Sequence, residues 1–261
     1  MKFPSMSRRD FTTRSAVALA VMQPALSALE QTAAAEQTGS ARTLRVVCVG
    51  AHPGDPEAGC GGTLALYAQR GHHVTNLYLT RGEAGIRGKS HQESAAIRTA
   101  EAEAACAVLG AKPVYAGQID AATEVSHERT EALVALLKAE QPDVVFTHWP
   151  IDTHPDHQAA SLLTIRAHLA SPGAFPLYFF EVDSGFDTTA FLPTTYVDIT
   201  SVRDKKKAAV FAHRSQGGEE IYRKHNEIME NFRGRELGVA AAEAFVTLAR
   251  DNPKGRLPGL E

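Results

Sequence analysis

Two short stretches of this chain carry residue types that can do metal chemistry. The first is Ala51-His52-Pro53-Gly54-Asp55-Pro56-Glu57, and the second is His154-Pro155-Asp156-His157. Neutral imidazole and carboxylate are both zinc ligands, and a catalytic zinc is held by three protein groups with one position left open. His52 and Asp55 can turn inward from one tight loop stiffened by Pro53 and Pro56, while His157 arrives from the second stretch. A zinc ion held in this way polarises a carbonyl and lowers the pKa of a bound water to about 7. The same His₂Asp set also accepts iron or cobalt. His154 falls about one helical turn before His157. It is placed to stabilise an oxyanion and to protonate a leaving amine. Asp156 is expected to hold His154 or His157 in the useful tautomer, as carboxylates behind metal-site histidines do. His148 is expected to be a wall or structural residue.

These groups need elements that bring them together. The first stretch follows an apolar β-type run at 44–49, and the second follows one at 144–149. Further β-type runs fall at 74–80, 113–116, 177–182 and 196–199, with helical patterns at 62–69, 93–109, 124–139 and 158–169 between the earlier ones. Two charged helices are expected at 201–212 and 219–233. Alternating strands and helices predict an α/β fold whose mostly parallel sheet is covered on both faces. Ligands sit at the carboxyl ends of strands in such sheets, which is where both His/Asp stretches fall. Gly59-Cys60-Gly61-Gly62 reads as a turn before a helix. It is not a dinucleotide loop, because Leu64 stands where the third glycine of that fingerprint belongs.

Composition excludes some partners. With 261 residues and a net charge of -3, the chain has no basic footprint for nucleic acid. Lys205-Lys206-Lys207 reads as the start of a solvated helix. Cys48, Cys60 and Cys106 lack metal-type spacing and read as core residues, with no disulfide framework. Arg8-Arg9 precedes the weakly apolar run 16–22 and alanine-rich sequence to Ala35, the pattern of a twin-arginine export signal. That run is too short to span a bilayer permanently. Residues 1–40 are therefore set aside as export signal and lead, and 41–261 as one domain, exported to the periplasm or beyond.

Taken together, these residues resemble the PIG-L (LmbE-like) family of zinc-dependent N-deacetylases. Its pattern is Ala-His-Pro-Asp-Asp with Gly-Gly soon after and a later His-Pro-Asp-His. The similarity extends to Thr80-Arg81-Gly82-Glu83-Ala84-Gly85, Ile97-Arg98 with Glu101, Lys207 with His213, Ser215 and Gln216, and Arg233 to Phe245. The resemblance implies a Rossmann-like three-layer sandwich and removal of acetyl from N-acetylglucosamine-type sugars or glycoconjugates. It makes His52, Asp55 and His157 the zinc ligands, His154 the acid or electrophile, Asp156 its partner and Arg98 a substrate-binding group. Arg81 and Glu83 are further candidates for binding sugar hydroxyls. One departure stands out: Gly54 replaces the first Asp of the Asp-Asp pair, which the family uses as general base. Asp152, or failing that Glu57, is expected to supply the carboxylate from elsewhere on the rim. Otherwise the metal alone drives a slower reaction, or the chain is a metal-containing sugar-binding protein without hydrolysis. Hydrolysis of another amide or an ester is the remaining alternative.

Overall fold

The periodicities of the sequence become a seven-stranded sheet in a computed structural model that describes residues 42–248 and 257–260. The twin-arginine pattern lies outside the described residues. In chain order the elements are β1 (Arg45–Gly50), α1 (Asp55–Gln69), β2 (His73–Tyr78), α2 (His91–Leu109), β3 (Ala111–Tyr115), α3 (His127–Glu140), β4 (Val144–His148), α4 (Pro155–Ala170), β5 (Leu177–Phe180) and β6 (Thr195–Asp198). After β6 come α5 (Arg203–Ala212), a short helix α6 (Gly218–Ile221), a wider π turn (Tyr222–Asn226), α7 (Glu227–Leu237) and β7 (Ala242–Thr247). The strand order is β3-β2-β1-β4-β5-β7-β6. The first five strands pair in parallel, and β7 runs antiparallel between β5 and β6.

Strand periodicity sends alternate residues to opposite faces and makes two cores. Val46 and Cys48 face α1 and the later helices with Leu64, Tyr67 and Phe146. Val47 and Val49 face α3 and α4 with Leu133, Leu137 and Leu163. The result is the expected mostly parallel α/β sandwich. The sheet order reverses between β1 and β4, so their carboxyl ends open a crevice at a topological switch point.

Two expectations are corrected. Gly59-Cys60-Gly61-Gly62 is no turn before a helix: α1 begins at Asp55 and is kinked at Cys60, whose φ/ψ of -145° and 20° are non-helical. The glycines permit close packing across that kink. A Cβ on Gly59 would stand 2.3 Å from Phe180, and one on Gly62 2.7 Å from Ile199. Lys206 is not a solvated-face lysine but is 2% exposed, between Glu230 and Glu243. β7 was not anticipated, because Glu243 interrupts its apolar pattern. The three cysteines are buried free thiols, and Cys48 and Cys60 touch at 3.2 Å. Among the described residues, no helix is long and apolar enough to cross a membrane.

Candidate metal centre

The loop after β1 and the start of α4 deliver His52, Asp55 and His157 to the crevice. His52 follows the strand, Asp55 opens α1 beneath two prolines, and His157 lies in the first turn of α4. Carboxylates are favoured at such helix N-termini, where free amides and the helix dipole attract negative charge. Metal-ligating atoms of the three residues all lie within 4.8 Å of one another. His52 Nδ1 is 3.3 Å and His157 Nε2 is 3.7 Å from Asp55 Oδ2. Zinc bonds of about 2.0 Å at tetrahedral angles place neighbouring ligand atoms about 3.3 Å apart, so this donor set fits a divalent ion.

The outward nitrogens of both histidines meet carboxylates. His52 Nε2 is 3.0 Å from Asp156 Oδ2 and 3.1 Å from Asp120 Oδ1. His157 Nδ1 is 3.1 Å from Asp152 Oδ1. Such pairs fix the ring orientation and leave the opposite nitrogen for a metal. In the metal-free protein they also fix charge. Burial is the largest influence on His52 and opposes its protonation, yet Asp55, Asp120 and Asp156 raise its pKa well above the usual value. His157 is likewise raised against burial, by Asp55 and then Asp152. Asp55 is held well below the ordinary carboxylate range despite desolvation, by the charges of His157 and His52. A dication would replace the protons on this buried set.

The surrounding residues sort by what they touch. His154 caps α4, its Nδ1 accepting the Asp156 amide at 3.2 Å, and its half-buried ring is edge-on to His52 at 4.8 Å. Burial lowers its pKa, with the charges of His157 and His52 adding to the effect. His148 Nε2 sits 3.1 Å from the Ala51 amide, and its ring stacks on His157 at 4.3 Å. Burial followed by the His157 charge brings its pKa to about 4, so it stays neutral behind the site, with Nε2 3.2 Å from Asp55 Oδ2, and does not line the cavity.

Several expected roles are corrected by position. Asp156 does not hold the His154 ring through its carboxylate. That carboxylate meets His52 and accepts from the Ala121 amide at 2.8 Å and Thr123 Oγ1 at 2.5 Å. Asp152 is no rim base: it accepts from the His154 amide, His157 and Thr188 Oγ1 and does not line the cavity. Glu57 is fully buried, taking the Gly54 amide, Asn76 and Tyr78. Arg81 lies 3.9 Å over the Tyr115 ring and donates to Thr99, while Glu83 accepts the amides of Arg81 and Asp120; neither lines the cavity. Arg98 does line it, but its guanidinium donates to the Pro53 carbonyl at 2.7 Å and stands 3.8 Å from Asp120. It braces the ligand loop. A Cβ at Gly82 or Gly85 would stand 2.4 or 2.3 Å from Arg98, so these glycines make its berth.

Asp120 was missed. It follows β3 in a loop with no spacing signal, and only its place at a strand's carboxyl end pointed to it. The site opens into a cavity of about 540 Å³ whose walls include His154, Asp183, Phe186 and His213. That volume suits a sugar-sized ligand.

Comparison with known proteins agrees with this arrangement. Residues 47–168 match the family model "PIG-L: GlcNAc-PI de-N-acetylase". The diacetylchitobiose deacetylase of Thermococcus kodakarensis is 30% identical over 193 residues, covering 68% of this chain and 72% of the relative. The 4-oxalmesaconate hydratase of Pseudomonas putida is 30% identical over 181 residues, covering 62% and 70%. The structure of N,N'-diacetylchitobiose deacetylase from Pyrococcus horikoshii superposes with a TM-score of 0.70 at 28% identity, covering 78% of this chain and 83% of that one. The fold, the paired histidine stretches and these relatives place the chain in the PIG-L (LmbE-like) family.

Proposed function

We propose that the protein is a zinc-dependent hydrolase that removes an acetyl group from the amide nitrogen of an N-acetylglucosamine-type sugar or glycoconjugate. The observation that carries this reading is the convergence of His52, Asp55 and His157, each backed or flanked by buried polar groups, with His154 open to the same cavity. His52, Asp55 and His157 would hold the ion, which polarises the acetyl carbonyl and activates water when bound. Asp156 and Asp120 orient His52, and Asp152 orients His157. His154 presents its Nε2 side to the cavity, where it stabilises the developing oxyanion. Phe186, 70% exposed at the cavity mouth, offers a face for a sugar ring, and Asp183 and Asp187 offer acceptors for its hydroxyls.

The relatives support a deacetylase, and the hydratase among them supports a second reading in which the same centre adds water to a carbon–carbon double bond. Acetate release separates the two. Zinc-loaded protein is expected to release acetate from N-acetylglucosamine or N,N'-diacetylchitobiose, to lose this on chelation and to regain it with zinc. Stoichiometric metal with no acetate from an acetamido-sugar panel rejects the deacetylase reading. The proposal includes export, motivated by Arg8-Arg9 and the run after it. Replacing both arginines by lysine should retain the protein in the cytoplasm; unchanged export would refute it.

A further inference from the structure

We infer that His213 accepts the proton of the attacking water, in the space that Gly54 leaves without a side chain. This rests on the proposed deacetylase reading and assigns the proton acceptor that Asp152 and Glu57 do not supply.

Asp120, the remaining carboxylate near the ligands, has Oδ1 on His52 and Oδ2 on the Ala84 amide and near Arg98. His213 is different. It is 3% exposed, lines the cavity, and neither ring nitrogen has a hydrogen-bond partner. Its nearest charged neighbour, Glu57 Oε2, is 3.7 Å from Nε2, beyond hydrogen-bond reach. Buried imidazole nitrogens left unpaired are costly, and an unpaired polar group on a cavity wall points to a missing ligand.

The ring faces the ligand loop. A Cβ built on Gly54 would stand 3.8 Å from His213 Cγ and Cδ2 and 3.9 Å from Nδ1, with no other atom nearer. His213 therefore borders the volume that a side chain at 54 would fill, beside Asp55. Gly54 has a φ of +111°, which favours glycine and keeps that volume open.

The loop that carries His213 is clamped. Glu101 on α2 accepts from the Ser215 amide at 2.7 Å and from Ser215 Oγ at 2.6 Å, and Gln216 Nε2 donates to the Gly85 carbonyl at 3.1 Å. A Cβ on Gly218 would fall 2.1 Å from the Val210 carbonyl oxygen, so only glycine allows the tight return after α5. Glu101, Ser215, Gln216 and Gly218 are positioning residues. They account for the sequence similarity around His213 that the metal site leaves unexplained.

The step balances as follows. His213 takes one proton from water as the water oxygen bonds to the acetyl carbon, and the C=O π pair moves onto its oxygen. That pair returns, the C–N bond breaks, and the nitrogen leaves with the proton that His213 took, which restores the neutral imidazole, while His154 donates a hydrogen bond to the oxyanion. The remaining carboxylic proton passes to the amine, giving acetate and an ammonium sugar.

The test uses the zinc-loaded protein with His213→Leu and His213→Gln, and acetate itself as a binding probe. Both variants should bind zinc stoichiometrically and stay folded, with a melting temperature within a few degrees of wild type, because the protein contact removed is the 3.7 Å approach to Glu57. Both should lower kcat by about 10²–10⁴-fold with KM changed less than threefold. His213→Leu should also weaken acetate binding at least tenfold by calorimetry. Activity within threefold of wild type in both variants overturns the proposal, as does acetate binding indifferent to His213. If wild type releases no acetate from any sugar yet acetate binding still requires His213, the place of His213 stands and the substrate reading falls.

Discussion

Two of the buried charged clusters among the described residues differ in what they leave unfinished. Around Lys206, every formal charge meets a protein partner. Its ammonium is 2.8 Å from Glu243 and 3.2 Å from Glu230. Glu243 also accepts the amides of Gly62 and Thr63 just beyond the α1 kink, and Glu230 accepts from Arg203 and Tyr222. Around His52, histidines and carboxylates converge on one volume, and at its edge His213 makes no hydrogen bond through either nitrogen and reaches only Glu57, at 3.7 Å. The first cluster cements α1, α5, α7 and β7. The second is arranged around something it does not itself contain. Burial alone does not mark function; burial with unmet valence does.

Substitutions should split the clusters by phenotype. Asp55→Ala should abolish stoichiometric zinc and cost about 10³-fold or more in activity, several kcal/mol of transition-state stabilisation. Full metal occupancy in that variant would break the comparison. Lys206→Met should do the reverse. Removing the ammonium between two buried carboxylates costs about 3–5 kcal/mol, a fall on the order of 10 °C, while the folded fraction keeps its zinc. A melting temperature within 2 °C (about 1 kcal/mol) of wild type would show that the Lys206 cluster is not holding the helices.

A finer cut falls within the metal cluster. Asp152→Asn removes the carboxylate behind His157 but no ligand, so zinc affinity should fall about 10–100-fold, read by competition with a chelating dye. An unchanged affinity with lost turnover would return Asp152 to direct chemistry.

The candidate ligand set was legible in the sequence because His52, Asp55 and His157 sit in short motifs anchored to strand ends. The parallel core was equally legible, since residues 46–49 and 144–146 are unbroken apolar runs. What stayed hidden depended on distance in sequence. Asp120 joins His52 only through the fold, and nothing in Gln118-Ile119-Asp120 signals it. Asp152 was expected as the base and Asp156 as the partner of His154 or His157, yet the chain entering α4 turns Asp152 toward His157 and Asp156 toward His52. β7 was obscured because its charge is buried against a lysine 37 positions earlier. Buried charge pairs defeat polarity patterns, since each partner alone looks exposed.

The smallest expected effect separates the clusters by protons. His52 and His157 have raised pKa values in the metal-free fold, so they hold their protons more tightly there than an unfolded histidine does. Their contribution to metal-free stability is fully present below the unfolded pKa and is lost as pH rises through the folded one. Zinc needs both rings deprotonated, so binding should release about one to two protons, and apparent affinity should rise with pH by about a decade per unit for each proton displaced. Titration calorimetry in buffers of different ionisation enthalpy reads that number directly. Lys206 is raised further above its already high value by Glu243 and Glu230 against the opposing effect of burial, so it contributes no proton in this range. Zinc binding without proton release would mean that the metal does not displace the charges assigned to His52 and His157, and would place the ion elsewhere in the crevice.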